Sequence, residues 1–265
     1  MSEHRVTRDG VEIAYWVYGE GPPLVLLIGL GVAASAWGPL PMVLSQGGYK
    51  VVAIDNRDAG MSSSAPGPYG IPDMAVDVVA VLDDAGIKRT DLLGLSMGGE
   101  IAQQFAIDNP DRVNRLMLVS TLPGGDGRVV AKPDYLERLF AAKDTAASIA
   151  IQTAPGFAEE HPGLIESLAE RWQEENTDPS RFARQWDAIV NFDDWDSLSS
   201  ITCPTLILHG GLDEFVPLGN AHNLASRIPD SKVVVIEGVG HLIGLERPFE
   251  FVEAITSFFL LDKEN

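Results

Sequence analysis

Ser96 is the residue whose type and surroundings point most directly to chemistry. It lies at the centre of Gly-Leu-Ser-Met-Gly, residues 94–98. Residues 90–95 have the pattern of a short buried strand, and residues 98–106 have the pattern of a helix. A tight turn between them would point the hydroxyl outward as a nucleophile, while the small glycines let strand and helix pass closely. Since G-x-S-x-G arises by chance in roughly one such chain in ten, its meaning depends on the partners that the chain supplies.

A serine hydroxyl needs a base to take its proton, and that base needs an anion to orient it. Asp213 follows the apolar run at residues 205–208, in a glycine-containing loop, and His241 follows the apolar run at residues 233–236. The carboxyl ends of parallel strands are where such sheets build their sites. We therefore expect Asp213 as the acid and His241 as the base. Glu214 is the adjacent alternative to Asp213, although its side chain would point elsewhere in an extended loop.

For two other side chains of reactive types, the sequence favours a structural role over a chemical one. Cys203 is the single cysteine, so an internal disulfide is excluded, and its place at the start of an apolar strand predicts a buried thiol. His209 lies at the end of the same strand, and we expect it to make a structural hydrogen bond.

Apolar runs recur along the chain and alternate with helical patterns. A hairpin around Asp9-Gly10 comes first. The continuous apolar character of the later runs is typical of strands buried on both faces. Strand–helix alternation of this kind predicts an α/β fold with a mostly parallel sheet flanked by helices. The apolar runs are residues 24–28, 51–54, 90–95, 116–119, 205–208 and 233–236.

One long segment, residues 123–195, shows helical spacing and no strand pattern. It predicts a helical cap inserted into a core made of residues 1–122 and 196–265. Four aromatic side chains of the cap could line an apolar pocket, or could form the buried faces of the cap helices. They are Phe157, Trp172, Phe182 and Trp186.

Composition narrows the function classes. The 265 residues are 45% hydrophobic, enough for a substantial core, and carry a formal net charge of −19. Such a field repels phosphate backbones and anionic membrane surfaces, so we expect neither nucleic acid nor membrane as a partner. The first residues lack the pattern of a signal peptide, and the apolar runs are too short to span a bilayer, so we expect a cytoplasmic protein.

Several motifs together resemble the α/β-hydrolase family over essentially the whole chain. They are Ile-Gly-Leu-Gly at 28–31, Asp-Asn-Arg-Asp-Ala-Gly-Met-Ser at 55–62, the motif around Ser96, His-Gly-Gly-Leu-Asp at 209–213, and Gly-His at 240–241. The resemblance implies an eight-stranded, mostly parallel sheet with an inserted cap. It implies the triad Ser96, Asp213 and His241. It also implies an oxyanion hole made by the main-chain N–H groups of Leu30 and Met97.

The chain departs from the family pattern at two positions. Ile28 stands where many relatives carry a histidine that orients the oxyanion loop, and Asp58 stands where the Asp-x-Arg-Gly-x-Gly-x-Ser pattern has its first glycine. The variant loop resembles that of esterases acting on polyketide methyl esters and of some peptidase relatives. We interpret Asp55, Arg57 and Asp58 as structural loop residues with an internal ion pair.

The triad implies a serine hydrolase that works through an acyl-enzyme, and the cap aromatics favour a small to medium apolar carboxylic ester or lactone as its substrate. A C–C bond hydrolase and a cofactor-free perhydrolase use the same triad and stay open as alternatives. A ligand receptor on a hydrolase fold is a third possibility of a different class. The sequence contains no metal-ligand pattern such as H-x-H or H-E-x-x-H and no phosphate-cradling loop, so we expect no cofactor or metal. A homodimer is possible.

Overall fold

The computed structural model describes residues 1–175 and 178–260. Eight strands form one sheet in the order β1-β2-β4-β3-β5-β6-β7-β8. The first two strands form the predicted hairpin, and β2 pairs antiparallel with β4, whereas every later pairing is parallel. The predicted eight-stranded, mostly parallel sheet is therefore confirmed. The strands are β1 Ser2–Arg8, β2 Val11–Tyr18, β3 Pro23–Leu27, β4 Lys50–Ile54, β5 Thr90–Leu95, β6 Val113–Val119, β7 Thr205–Gly210 and β8 Ser231–Ile236.

Helices follow most of the parallel strands, as alternation in the sequence predicts. They are α1 Leu40–Gln46, α2 Ile71–Asp84, α3 Met97–Asp108, α4 Pro133–Phe140, α5 Thr145–Gln152, α6 Phe157–Glu160, α7 Pro162–Glu175, α8 Pro179–Val190, α9 Gly219–Arg227, α10 Ile243–Glu246 and α11 Pro248–Leu260. Short 3₁₀ turns lie at Ala34–Trp37, Pro110–Arg112, Gly125–Gly127 and Leu198–Ser200. Among the helices of the described residues, none is long and apolar enough to cross a membrane.

The sheet has an apolar core on each face, because its central strands send successive side chains to opposite sides. In β3, Val25 and Leu27 belong to the core beneath α2 and α3, whereas Leu24 and Leu26 belong to the core that includes residues of α1 and α11. All four side chains are fully buried. Burial on both faces explains why this strand is a continuous apolar run rather than an alternating one.

Five helices, α4 to α8, lie between β6 and β7, where the sequence predicts a helical cap. α5 and α7 share a small apolar cluster containing Ile149, Ile165 and Leu168. Leu242 and Leu245, which come from the segment after β8, pack against the same cluster. The division into a core of residues 1–122 and 196–265 and a cap of residues 123–195 remains a prediction.

Polar contacts between buried groups join the beginning and end of this helical segment to each other and to α3. The Gly124 N–H donates to Asp194 Oδ1 at 2.7 Å, and Arg128 pairs with buried Glu100 of α3 at 3.0 Å. Burial raises the pKa of Asp194 to about 6, with the Gly124 N–H opposing that shift.

The junction of β5 with α3 depends on two glycines. A Cβ at Gly94 would lie well inside van der Waals contact of the Gly98 carbonyl oxygen, and one at Gly98 would overlap the Leu27 carbonyl oxygen. Both clashes are with main chain, which cannot rotate away. Strand and helix therefore approach this closely only with glycine at both positions.

We expect Gly94→Ala to lower the free energy of unfolding by about 3 kcal/mol or more, because a methyl group forced into a packed backbone costs at least the usual overpacking penalty. Urea denaturation measures the effect. Gly67→Ala is the matched control, since a Cβ there has nothing within 4 Å. Equal stability of the two variants would contradict this account of the junction.

Candidate active site

Ser96 occupies the turn between β5 and α3 in a strained backbone conformation. Its φ is 54° and its ψ is −123°, which non-glycine residues rarely adopt. Such a conformation costs of order 1–3 kcal/mol and persists only when the surroundings hold it. Here the Ser96 N–H donates to the Val119 carbonyl at 2.9 Å, and Thr121 Oγ1 donates to the Ser96 carbonyl at 2.7 Å. The side chain is half-buried, so the hydroxyl is held at an accessible turn.

The loop after β3 faces this serine, as the resemblance implies. A Cβ at Gly29 would lie 3.3 Å from Ser96 Cβ and 3.8 Å from its Oγ. Leu30 follows directly and is half-buried. Met97 is the first residue of α3, where main-chain N–H groups have no partner within the helix and the helix dipole favours negative charge. The structure therefore places the predicted oxyanion loop beside Ser96, while the roles of Leu30 and Met97 stay a prediction.

His241 and Asp213 form a buried hydrogen-bonded pair. His241 Nδ1 lies 2.8 Å from Asp213 Oδ2, and both side chains are almost fully buried. The second oxygen, Asp213 Oδ1, accepts the Val216 N–H at 2.8 Å. The adjacent Glu214 instead pairs at the exposed surface with Arg138, at 3.2 Å. Of the two acids, Asp213 is thus the one in contact with the histidine.

Main-chain hydrogen bonds tie together the strand ends that carry these groups. The Ser120 N–H, just after β6, donates to the Leu208 carbonyl of β7 at 2.9 Å. The Leu212 N–H, just after β7, donates to the Val239 carbonyl beyond β8 at 2.8 Å. Together with the bond from Ser96 to Val119, they form a continuous row along the carboxyl edge of the sheet. Serine, aspartate and histidine follow three strands that end at this edge.

His209 makes the structural hydrogen bond that its position predicts. Its Nε2 lies 2.7 Å from the Val216 carbonyl oxygen and 3.6 Å from Asp213 Oδ2. Because a carbonyl only accepts, Nε2 carries the proton. Val216 is therefore held by its carbonyl to His209 and by its N–H to Asp213. Burial lowers the pKa of His209, opposed by the nearby Asp213 carboxylate, so the ring is held neutral.

Sequence reasoning missed a second carboxylate that supports the histidine loop. Glu246 accepts the Gly240 N–H at 3.0 Å and the Ala154 N–H at 2.9 Å. The His241 N–H donates to the Gln152 carbonyl at 2.8 Å. Burial raises the pKa of Glu246, and its two backbone donors oppose that rise. No spacing in the sequence indicates this role, because the partner at residue 154 comes from the distant helical segment.

Aromatic rings from two parts of the chain approach the histidine. Phe215 meets the His241 ring edge-on at 5.1 Å between centroids, and Tyr135 of α4 stacks on Phe215 at 6.1 Å. Burial raises the pKa of the Tyr135 hydroxyl. The ring stack gives this side of the site an apolar surface and joins α4 to the loop that carries Asp213.

The four aromatic residues singled out in the sequence divide into two pairs. Phe157 and Trp172 pack against the small apolar cluster of α5 and α7, which supports the structural interpretation for both. Phe182 and Trp186 stack on each other along α8 at 6.4 Å, and Phe182 is exposed.

The loop after β4 uses its charges to contact other elements. Arg57 pairs with Asp77 of α2 at 2.6 Å, and Asp58 pairs with Arg184 of α8 at 2.6 Å. The ion pairs of Arg57 and Asp58 are thus made with partners outside the loop and not within it as expected. Asp58 has a φ of 65°, the conformation that favours glycine, which accounts for a glycine at this position in the family pattern. Asp58 thus adopts a strained conformation in which its carboxylate binds an arginine of α8.

Comparisons with known proteins agree with this architecture. A family model for the alpha/beta hydrolase fold matches residues 22–248. A curated relative, the 3-oxoadipate enol-lactonase 2 of Acinetobacter baylyi, is 27% identical, with 94% of each chain covered. Rhodomycin D methylesterase DnrP of Streptomyces peucetius is 28% identical over 92% of this chain and 94% of its own. A solved structure described as Est816, an N-acyl homoserine lactone degrading enzyme, is 31% identical with a TM-score of 0.81, covering 96% of this chain and 100% of that one.

The chain therefore belongs to the α/β-hydrolase fold family, and the similar proteins are hydrolases named as esterases and lactonases. The resemblance inferred from the motifs is confirmed.

The lowered pKa of His209 predicts a specific acid sensitivity. In the unfolded chain this ring takes up a proton near its ordinary pKa, whereas in the folded protein the ring stays neutral to a lower pH. The contribution of the neutral ring to the free energy of unfolding is therefore present above the ordinary pKa and is lost as the pH falls below it. We expect His209→Gln, whose amide can still donate to Val216, to lose less unfolding free energy than the wild type between about pH 7.5 and about pH 5.5. Urea titrations at successive pH values measure both slopes. A variant slope as steep as the wild-type slope would contradict the prediction.

Proposed function

We propose that this protein is a serine hydrolase that cleaves apolar carboxylic esters or lactones through an acyl-enzyme. The observation that carries the proposal is the strained turn that holds Ser96 beside the Gly29 loop, at the sheet edge that also bears the buried His241–Asp213 pair. A strained serine, a histidine and a carboxylate bonded to that histidine are the parts that nucleophilic acyl transfer requires.

In the proposed reaction, Ser96 Oγ attacks the substrate carbonyl while His241 Nε2 takes its proton. Asp213 accepts a hydrogen bond from Nδ1 of the same ring, which fixes the tautomer and stabilises the imidazolium. The N–H groups of Leu30 and Met97 bind the oxyanion of the tetrahedral intermediate. His241 then gives the proton to the leaving alcohol, and a water molecule repeats the sequence on the acyl-enzyme.

The substrate class rests on the relatives and on the surroundings of the histidine. Similar proteins are named as acting on an enol-lactone, on an N-acyl homoserine lactone and on a methyl ester. The ring stack of Tyr135 and Phe215 presents an apolar surface beside His241. The names favour an ester or lactone carbonyl, and the ring stack favours an apolar acyl or ring portion at that side of the site.

We expect Ser96→Ala to lower kcat for p-nitrophenyl esters and for lactones by at least about a thousandfold, because the attacking group is lost while binding and the oxyanion donors remain. Ser226→Ala is the matched control, since this serine hydroxyl bonds only its own helix α9 at the exposed surface. Intact-mass analysis of the wild type during turnover should show an acyl adduct, which peptide mapping places on Ser96.

Three outcomes would overturn the proposal. Turnover that survives in Ser96→Ala excludes the serine as nucleophile. Cleavage of vinylogous diketones, with esters and lactones inert, assigns C–C hydrolysis. A single acylation event without repeated turnover on any of the esters, lactones or diketones assigns a receptor-like role.

A further inference from the structure

The N–H of the Gly29–Leu30 peptide is the proposed oxyanion donor. Side-chain amides bind the peptide groups on both sides of it. On one side, Asn56 Nδ2 donates to the Ile28 carbonyl at 2.9 Å. On the other side, the Gly31 N–H donates to Gln185 Oε1 at 2.7 Å. The Gly29–Leu30 peptide lies between them, and a Cβ at Gly29 would lie 3.3 Å from Ser96 Cβ. The orientation of this peptide is thus set from both ends.

Gln185 uses both ends of its amide. While Oε1 accepts from Gly31, its Nε2 donates to the Arg57 carbonyl at 2.8 Å. A main-chain N–H only donates and a carbonyl only accepts, so this arrangement fixes which end of the amide faces which loop. The side chain is fully buried, and a buried amide with every contact satisfied is rigid. Gln185 therefore fixes the position of the oxyanion loop relative to the loop after β4.

Gln185 belongs to α8, which lies in the helical segment rather than beside the sheet strands. The same face of α8 carries two arginines at helical spacing. Arg184 binds both oxygens of Asp58 at 2.6 and 2.8 Å, and Arg181 donates to the Ser62 carbonyl at 2.7 Å. These contacts hold the helix against the loop after β4, and only Gln185 among the three reaches the oxyanion loop.

We propose that Gln185, with Asn56, is a positioning residue for the oxyanion hole: it holds the Gly31 N–H so that the Leu30 N–H points at the developing alkoxide. The inference rests on the proposed function. If Gln185 has this role, helix α8 contributes to the stabilisation of the transition state. A displacement of α8 disturbs catalysis through the Gly31 bond, without contact between the helix and the reacting atoms.

The principal test compares two substitutions on the same helix. Gln185→Met keeps the side-chain length and removes both hydrogen bonds. We expect it to lower kcat for esters by about 10- to 100-fold, because a misplaced oxyanion donor is lost mainly in the transition state, while KM changes by less than about threefold. Arg184→Gln removes one ion pair of the same helix, while Gln185 keeps both of its hydrogen bonds and Arg181 keeps its bond to Ser62. Because α8 thereby keeps its place over the oxyanion loop, we expect this variant to change kcat by less than about threefold.

The inhibition constant of a trifluoromethyl ketone distinguishes a positioning role of Gln185 from a purely structural one, because a purely structural role would leave it unchanged. Ser96 Oγ adds to its carbonyl, the serine proton passes to His241, and the resulting alkoxide occupies the oxyanion hole. We expect the inhibition constant for Gln185→Met to rise by the same factor by which kcat/KM falls, whereas Arg184→Gln should leave it near the wild-type value.

Gln185→Glu provides a second test of the inference if Gln185→Met does not fold. A neutral carboxylic acid can accept from Gly31 and donate to the Arg57 carbonyl as the amide does, whereas a carboxylate cannot donate and repels an oxyanion. The charged groups facing it, Arg57 and Asp58 of the loop after β4 and Arg184 on its own helix, are already ion-paired. We expect the ratio of variant to wild-type kcat to rise as the pH falls from about 8 to about 6, since burial favours the neutral acid.

The outcomes separate this inference from the proposed function. If hydrolysis depends on Ser96 but Gln185→Met keeps kcat and the inhibition constant within about twofold of the wild type, the inference is wrong and the function stands. Equal losses in Gln185→Met and Arg184→Gln, or a Gln185→Glu ratio that does not change with pH, would also overturn the inference. Activity that survives in Ser96→Ala overturns the proposed function itself.

Discussion

The close approach of α3 to the sheet is the constraint on which the rest of the site depends. Main-chain atoms of Gly98 lie where a Cβ of Gly94 would be, and the Leu27 carbonyl lies where a Cβ of Gly98 would be. The first turn of α3 is thereby pressed against the ends of β5 and β3 together. A chain that must reverse so abruptly places Ser96 at positive φ, and it places the loop after β3 against the serine side chain. The strain is stable because the Val119 carbonyl and Thr121 hold both sides of Ser96.

A second requirement is that buried charges be paired, since an isolated ion removed from water costs several kcal/mol. The loop after β4 satisfies it with partners on two different elements, Asp77 of α2 for Arg57 and Arg184 of α8 for Asp58. Removing Asp77 would leave the buried Arg57 without its ion pair, whereas Asp58 without Arg184 would keep a longer contact with Arg181 at 3.9 Å. The Asp58 pair, together with the contacts of Arg181 and Gln185, fixes where α8 lies on the core. Asp58 adopts a strained backbone conformation at a position that favours glycine. In this conformation its carboxylate makes a bidentate contact with Arg184 of α8.

The sequence alone predicts the features that depend on local pattern. Continuous apolar runs predict the parallel strands, because burial on both faces leaves little room for polar side chains. Ser96, Asp213 and His241 are predicted as site residues because each follows such a run. Sequence reasoning missed Gln185 and Glu246, whose partners lie far away in the chain: Gly31 is 154 residues from Gln185, and Ala154 is 92 residues from Glu246. Polar side chains that satisfy distant backbone groups leave no periodic signal, so only the folded arrangement reveals them.

These distant contacts share a physical purpose. Loops at the carboxyl edge of the sheet carry backbone groups with no strand to pair with, and a buried unpaired group costs about 1–3 kcal/mol. Helices α5 and α8 come from the segment between β6 and β7, and both meet this need: the Gln152 carbonyl accepts from His241, and Gln185 binds the Gly31 N–H. The segment between β6 and β7 thus supplies hydrogen bonds to two loops of the candidate site. The position of this segment is therefore coupled to the geometry of the loops after β8 and β3 through these two hydrogen bonds.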